Sequence, residues 1–72
     1  MKLIVFENYT LAMKARSLII KSGQICELIR TPAEHSKCGC GYSLVVEGNL
    51  HVAVEVLDQA GISYVKWVGE DA

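Results

Sequence analysis

Two of the three cysteines in this 72-residue chain stand one glycine apart, in the run Thr31-Pro32-Ala33-Glu34-His35-Ser36-Lys37-Cys38-Gly39-Cys40-Gly41. A structural cysteine behaves as a small buried hydrophobe, whereas a reactive or ligating one sits partly exposed among polar neighbours. Cys38 and Cys40 have neighbours of the second kind. Three chemistries fit them. In the first, a thiolate accepts sulfur or selenium and passes it on as a persulfide; this needs a lowered thiol pKa, which Lys37, His35 and a nearby helix end can supply. The second is redox exchange between Cys38 and Cys40, whose disulfide across a single residue would be strained and easily reduced. The third is a soft metal, Zn or Cu, held by His35, Cys38 and Cys40. A structural zinc site needs a fourth ligand, and Cys26, within an apolar strand pattern, is a poor one.

Other residues have plainer readings. Cys26 fits packing on a sheet face. His51, in the first turn of a helical pattern, fits solvation, and His35 alone fits an ordinary loop residue. Glu34 fits the cap of a short turn after Pro32. Tyr64 and Trp67 supply core or interface bulk, and Tyr9 and Tyr42 flank the cysteine run and cover it. No glycine-rich phosphate cradle, catalytic carboxylate pair or Ser-His-Asp pattern is present, and Gly39 and Gly41 do not open a helix. No cofactor is called for.

Composition narrows the classes. A chain of 72 residues makes one domain, 1–72, that buries only roughly 60% of its unfolded surface. Its 51% hydrophobic and 21% charged residues suit a globular fold and argue against disorder. A net charge of −1 gives no electrostatic reason to bind nucleic acid or an anionic membrane. No apolar run approaches the ~20 residues of a membrane span. The apolar stretch after Met1-Lys2 is too short for a signal-peptide core, and the odd cysteine count does not make a disulfide framework. These points set the expectation of a cytoplasmic protein with free thiols.

The elements that must position the cysteines alternate. Lys2–Phe6 reads as a strand. Asn8, or else Thr10, caps a helix whose apolar face is Leu11, Ala12, Ala15, Leu18 and Ile19, with Gly23 as its left-handed stop. Ile25–Arg30 and Tyr42–Val46 read as strands. Asn49 caps a second helix with Leu50, Ala53, Val54, Leu57 and Ala60 on one face, and Gly61 ends it. Ile62–Val68 reads as the last strand. The segments Lys21-Ser22-Gly23-Gln24-Ile25 and Gln59-Ala60-Gly61-Ile62 echo one another as helix end, glycine and strand start.

The order β-α-β-β-α-β predicts an α+β, ferredoxin-like fold: a four-stranded antiparallel sheet with two helices on one face. The other sheet face is expected to be less well covered, with room for a homodimer through it. In this topology the first two strands finish at the same end. The Thr31–Gly41 connection then falls beside the N-terminus of the first helix, near Glu7–Leu11, where free N–H groups and the helix dipole favour an anion such as a thiolate. A connection of this length exceeds the usual two to five residues of a hairpin, which favours a functional loop.

The residues resemble those of the selenium/sulfur (Se/S) carrier protein-like family of small bacterial domains. Thr31-Pro32-Ala33-Glu34 matches that family's loop start, Ser36 its serine step, and Cys40-Gly41-Tyr42-Ser43-Leu44 its Cys-Gly step into a strand. Asn8-Tyr9-Thr10 and Leu57–Ile62 also fall in register. The resemblance implies a carrier thiol at Cys40; the residues expected to support such a thiol are Lys37, His35, Ser36, Gly39, Gly41 and Asn8. It further implies a cysteine desulfurase or selenocysteine lyase-type donor and an acceptor protein, and no enzymatic turnover of its own. The departure is the doubled Cys38-Gly39-Cys40-Gly41: aligned from Thr31, the family cysteine falls between the two. Cys38 is therefore the alternative carrier, with Cys40 as a resolving thiol.

Overall fold

A computed structural model describes residues 2–32 and 41–69 of the chain. Its elements are β1 (Leu3–Phe6), α1 (Tyr9–Lys21), β2 (Cys26–Arg30), β3 (Tyr42–Val46), α2 (Leu50–Ala60) and β4 (Lys66–Val68). The strands form one sheet in the order β2-β3-β1-β4, with every neighbouring pair antiparallel. This is the ferredoxin-like arrangement.

Local chemistry sets the helix limits. The Asn8 side chain accepts from the Leu11 N–H at 2.9 Å, so Asn8 rather than Thr10 is the cap. Asn49 accepts from the Val52 N–H at 3.1 Å in the same way. Both helices stop on a left-handed glycine. At α1 the Gly23 N–H bonds the Ile20 carbonyl and the Gln24 N–H bonds that of Ile19; at α2 the Gly61 N–H bonds Asp58 and the Ile62 N–H bonds Leu57. These paired bonds satisfy the last carbonyls of each helix. The two echoed sequence segments are therefore the same physical device used twice.

The core lies between the helices and one sheet face. Ile4, Phe6, Leu44, Val46 and Cys26 meet Ala12, Ala15 and Ile19 of α1 and Leu50, Ala53 and Leu57 of α2. The buried alanines present only a methyl group to this layer, which lets the helices lie close on the sheet.

Three expectations need correction. The last strand is Lys66–Val68 rather than Ile62–Val68: Ile62 and Tyr64 pack against the core before the chain reaches the sheet, and only Val65 N–H to Val5 O and the three residues after it pair with β1. The first two strands each begin one residue later than expected, at Leu3 and Cys26. The second sheet face is also better covered than its sequence suggested. Leu3, Val5 and Ser43, which alternate with the core residues, are 0%, 5% and 0% exposed. β1 has neighbours on both sides, and Leu3 lies between Val45 and Val68.

Candidate functional site

Sheet register places the ends of the cysteine segment. Tyr42 opens β3 opposite both Phe6, the last residue of β1, and Arg30, the last of β2. Just beyond, the Thr31 N–H bonds the Gly41 carbonyl at 3.2 Å and ties the two ends of the connection together. Gly41 has φ +120°, and a Cβ there would stand 3.1 Å from the Phe6 carbonyl oxygen and 3.4 Å from Thr31 Oγ1. The chain thus leaves and re-enters the sheet against the end of β1, two residues before the Asn8 cap of α1.

That end of the molecule presents the open N-terminus of α1, with the exposed Glu7 just before its cap. Asn8 satisfies the Leu11 N–H, while the Tyr9 and Thr10 N–H groups precede any intrahelical acceptor. α1 carries no acidic residue in its first turn. An anion near this helix end is stabilised by the dipole, by about 0.3–1 kcal/mol at an exposed site. Beside it, the Arg30 guanidinium lies 5.8 Å from the centre of the Tyr42 ring, and that ring meets Tyr9 edge to face at 5.3 Å. Tyr9 and Tyr42 therefore pack on each other at the base of the connection.

Of the site residues expected from sequence, Asn8 and Gly41 are brought to this base. Cys38, Cys40, His35, Ser36, Lys37 and Gly39 lie outside the described residues, as does Glu34. Cys26 is 5% exposed, with Sγ 3.9 Å from the Arg16 carbonyl. Burial pushes its thiol pKa up, and the Arg16 charge only partly offsets this. Cys26 is a packed core thiol, not a nucleophile. Among the described residues, no group of three or more His, Cys, Asp or Glu side chains is arranged to hold a metal.

Sequence reasoning passed over two features. The first is the buried hydroxyl pair Thr31 Oγ1 and Ser43 Oγ, 2.8 Å apart, directly under the tied ends. Its partners are distant in sequence, so only the β2–β3 register reveals it. The second is a cleft of about 710 Å³ at the opposite end of the sheet, where Lys2, Asn49, Leu50, His51 and Trp67 meet. His51 is exposed and touches Trp67 edge to face at 5.6 Å, so Trp67 lines a surface cleft instead of filling the core.

The model of a family described as "Putative Se/S carrier protein-like" matches residues 2–68. The chain belongs to this family. The match spans both helices and all four strands, so the Se/S carrier-like family and the ferredoxin-like fold are properties of the same residues. Membership points to a carrier role rather than a catalytic one. No match is found among curated proteins or among solved structures.

Proposed function

We propose that this Se/S carrier-like protein holds one sulfur or selenium atom on Cys40, or on Cys38, as a persulfide or selenopersulfide, and relays it to an acceptor protein. The observation that carries the reading is positional. The fold ties the two ends of the cysteine segment together beside the N-terminus of α1, while Cys26 is buried away from it. A thiolate, a persulfide and a selenopersulfide are all anions and gain from the same helix end.

Loading begins with attack of the loop thiolate on the terminal sulfur of a donor persulfide. A new S–S bond forms, the donor's S–S bond breaks, and the donor leaves as a thiolate. No external oxidant or reductant is needed. Delivery is the reverse exchange onto an acceptor nucleophile, which returns the carrier thiolate. The donor is of the cysteine desulfurase or selenocysteine lyase type, and the exchange belongs to a reducing compartment such as the cytoplasm.

The test is intact mass after incubation with a desulfurase and cysteine, and in parallel with a selenium donor. A gain of one sulfur or selenium that reducing agent removes, and that Cys38→Ser/Cys40→Ser abolishes, supports the reading. The absence of any gain, or a gain that persists in the double variant, overturns it. The single variants assign the carrier cysteine.

A further inference from the structure

β2 is an outer strand of the sheet and pairs with β3 alone. The Glu47 N–H bonds the Ile25 carbonyl, and the Thr31 N–H bonds the Gly41 carbonyl. Carried along the β2–β3 register, these bonds turn the backbone groups of Glu27 and Ile29 toward β3. The N–H and C=O groups of Leu28 and Arg30 therefore point outward from the sheet edge. Sheet edges are commonly blunted by short length, a lysine or a proline. The other outer strand, β4, has three residues and includes Lys66. β2 runs over Cys26–Arg30 with neither lysine nor proline, and is the edge left open to a further strand.

Charge selects the kind of strand. α1 carries Lys14, Arg16 and Lys21 and no acidic residue, whereas α2 carries Glu55 and Asp58 and no Lys or Arg. α1 is the helix beside β2. Cys26 Sγ lies 3.9 Å from the Arg16 carbonyl; burial raises that thiol's pKa, and the nearby Arg16 charge lowers it. At the far end of β2 the Arg30 guanidinium stands over the Tyr42 ring. Cys26, Leu28 and Arg30 alternate onto the helix side of the sheet, while the exposed Glu27 points to the opposite side. Two guanidinium groups thus bracket one face of the edge, with the half-buried Leu28 between them. Ile20 and Ile25, both exposed, add apolar surface near the Arg16 end.

We propose that the β2 edge docks an extended segment of a partner protein as a fifth strand, with acidic residues toward Arg16 and Arg30 and an apolar residue against Leu28. Backbone bonds to Leu28 and Arg30 supply affinity, and the two guanidinium groups select the side chains. A second copy of this chain is the poorer occupant. Pairing β2 with itself would set two α1 helices side by side, each with three cations and no acid. A nucleic acid offers the charge without the backbone ladder. The proposal does not depend on the role of the cysteines.

The experiment follows amide hydrogen exchange of the full chain by nuclear magnetic resonance, with a blocked peptide whose core is Glu-Thr-Val-Thr-Glu. At a peptide concentration about ten times its Kd, exchange at Leu28 and Arg30 should slow about tenfold, with Lys66–Val68 unchanged. Two control peptides have the cores Thr-Glu-Val-Glu-Thr, which turns the acids to the other face, and Lys-Thr-Val-Thr-Lys. Both should bind about three- to tenfold more weakly. Arg30→Gln, a change at an exposed side chain, should shrink the preference for the first peptide. No slowing at Leu28 and Arg30, slowing at β4 instead, or equal binding of the three peptides overturns the proposal. So does slowing at Leu28 and Arg30 that rises with protein concentration in the absence of peptide, because the edge would then belong to a second copy. The same slowing by an oligonucleotide also overturns it, since charge alone would suffice. If Arg30→Gln unfolds the chain, the three peptides on the native protein decide.

Discussion

Gly41→Ala should destabilise the protein much more than Gly61→Ala, although both glycines have positive φ. At Gly61, φ is +74° and a Cβ would meet nothing within 4 Å, so an alanine suffers only the left-handed backbone cost, about 1 kcal/mol. At Gly41 the φ of +120° lies where side chains are rarely tolerated, at a cost of about 1–3 kcal/mol. The new methyl would also stand 3.1 Å from the Phe6 carbonyl oxygen. That oxygen cannot retreat cheaply, because Phe6 is registered with Tyr42 in the central β1–β3 pair. Such overpacking adds about 1 kcal/mol or more. The reduced freedom of the unfolded chain returns about 0.4–1 kcal/mol in both variants. The expected loss is about 2–3 kcal/mol for Gly41→Ala and under about 1 kcal/mol for Gly61→Ala. At roughly 0.05–0.15 kcal/mol per residue, a 72-residue chain has only about 4–11 kcal/mol of stability, so the difference is large. Urea unfolding monitored by circular dichroism measures it as a shift of midpoint at constant slope. Equal losses in the two variants would refute the close approach of Gly41 to the end of β1.

Cys26 gives a pH dependence. Its folded pKa is raised above the ordinary 9.0, mainly by burial, so its contribution is complete below that pH and is lost as pH rises through the folded value. Urea midpoints at neutral and strongly alkaline pH should therefore fall less in Cys26→Ala than in the native chain; an unchanged alkaline loss refutes the buried thiol. Tyr64 acts in the same direction, raised by burial and then by the charge and hydrogen bond of Asp58, so Tyr64→Phe should remove a further part of that loss. Gln24 presents the opposite opportunity. Both polar atoms of its amide are buried against Gly48 without a partner among the described residues. Gln24→Met, of similar length, should stabilise the protein by about 1–2 kcal/mol in urea unfolding, and a loss of stability would show that the amide is satisfied.

The elements were legible because their signals are local. Asn8 and Asn49 sit where a helix needs a side-chain acceptor, and Gly23 and Gly61 sit where it needs a left-handed residue. The apolar spacing of Ala12, Ala15 and Ile19, and of Leu50, Ala53 and Leu57, marked the core faces. The last strand was misjudged because Ile62 and Tyr64 look the same in sequence whether they face a core from a strand or from a loop. Hydrophobic pattern records burial, and only pairing makes a strand.

The sequence by itself determined the element order and the antiparallel α+β class, because capping, periodicity and turn residues act over a few neighbours. It also carried the family resemblance, which the match over residues 2–68 bears out. Tertiary structure alone decided that Thr31 meets Ser43, that Gly41 is pressed against Phe6, and that Trp67 faces a cleft with His51. These are contacts between residues far apart along the chain. Their existence depends on register and on the path of the backbone, which no local pattern of residue types encodes.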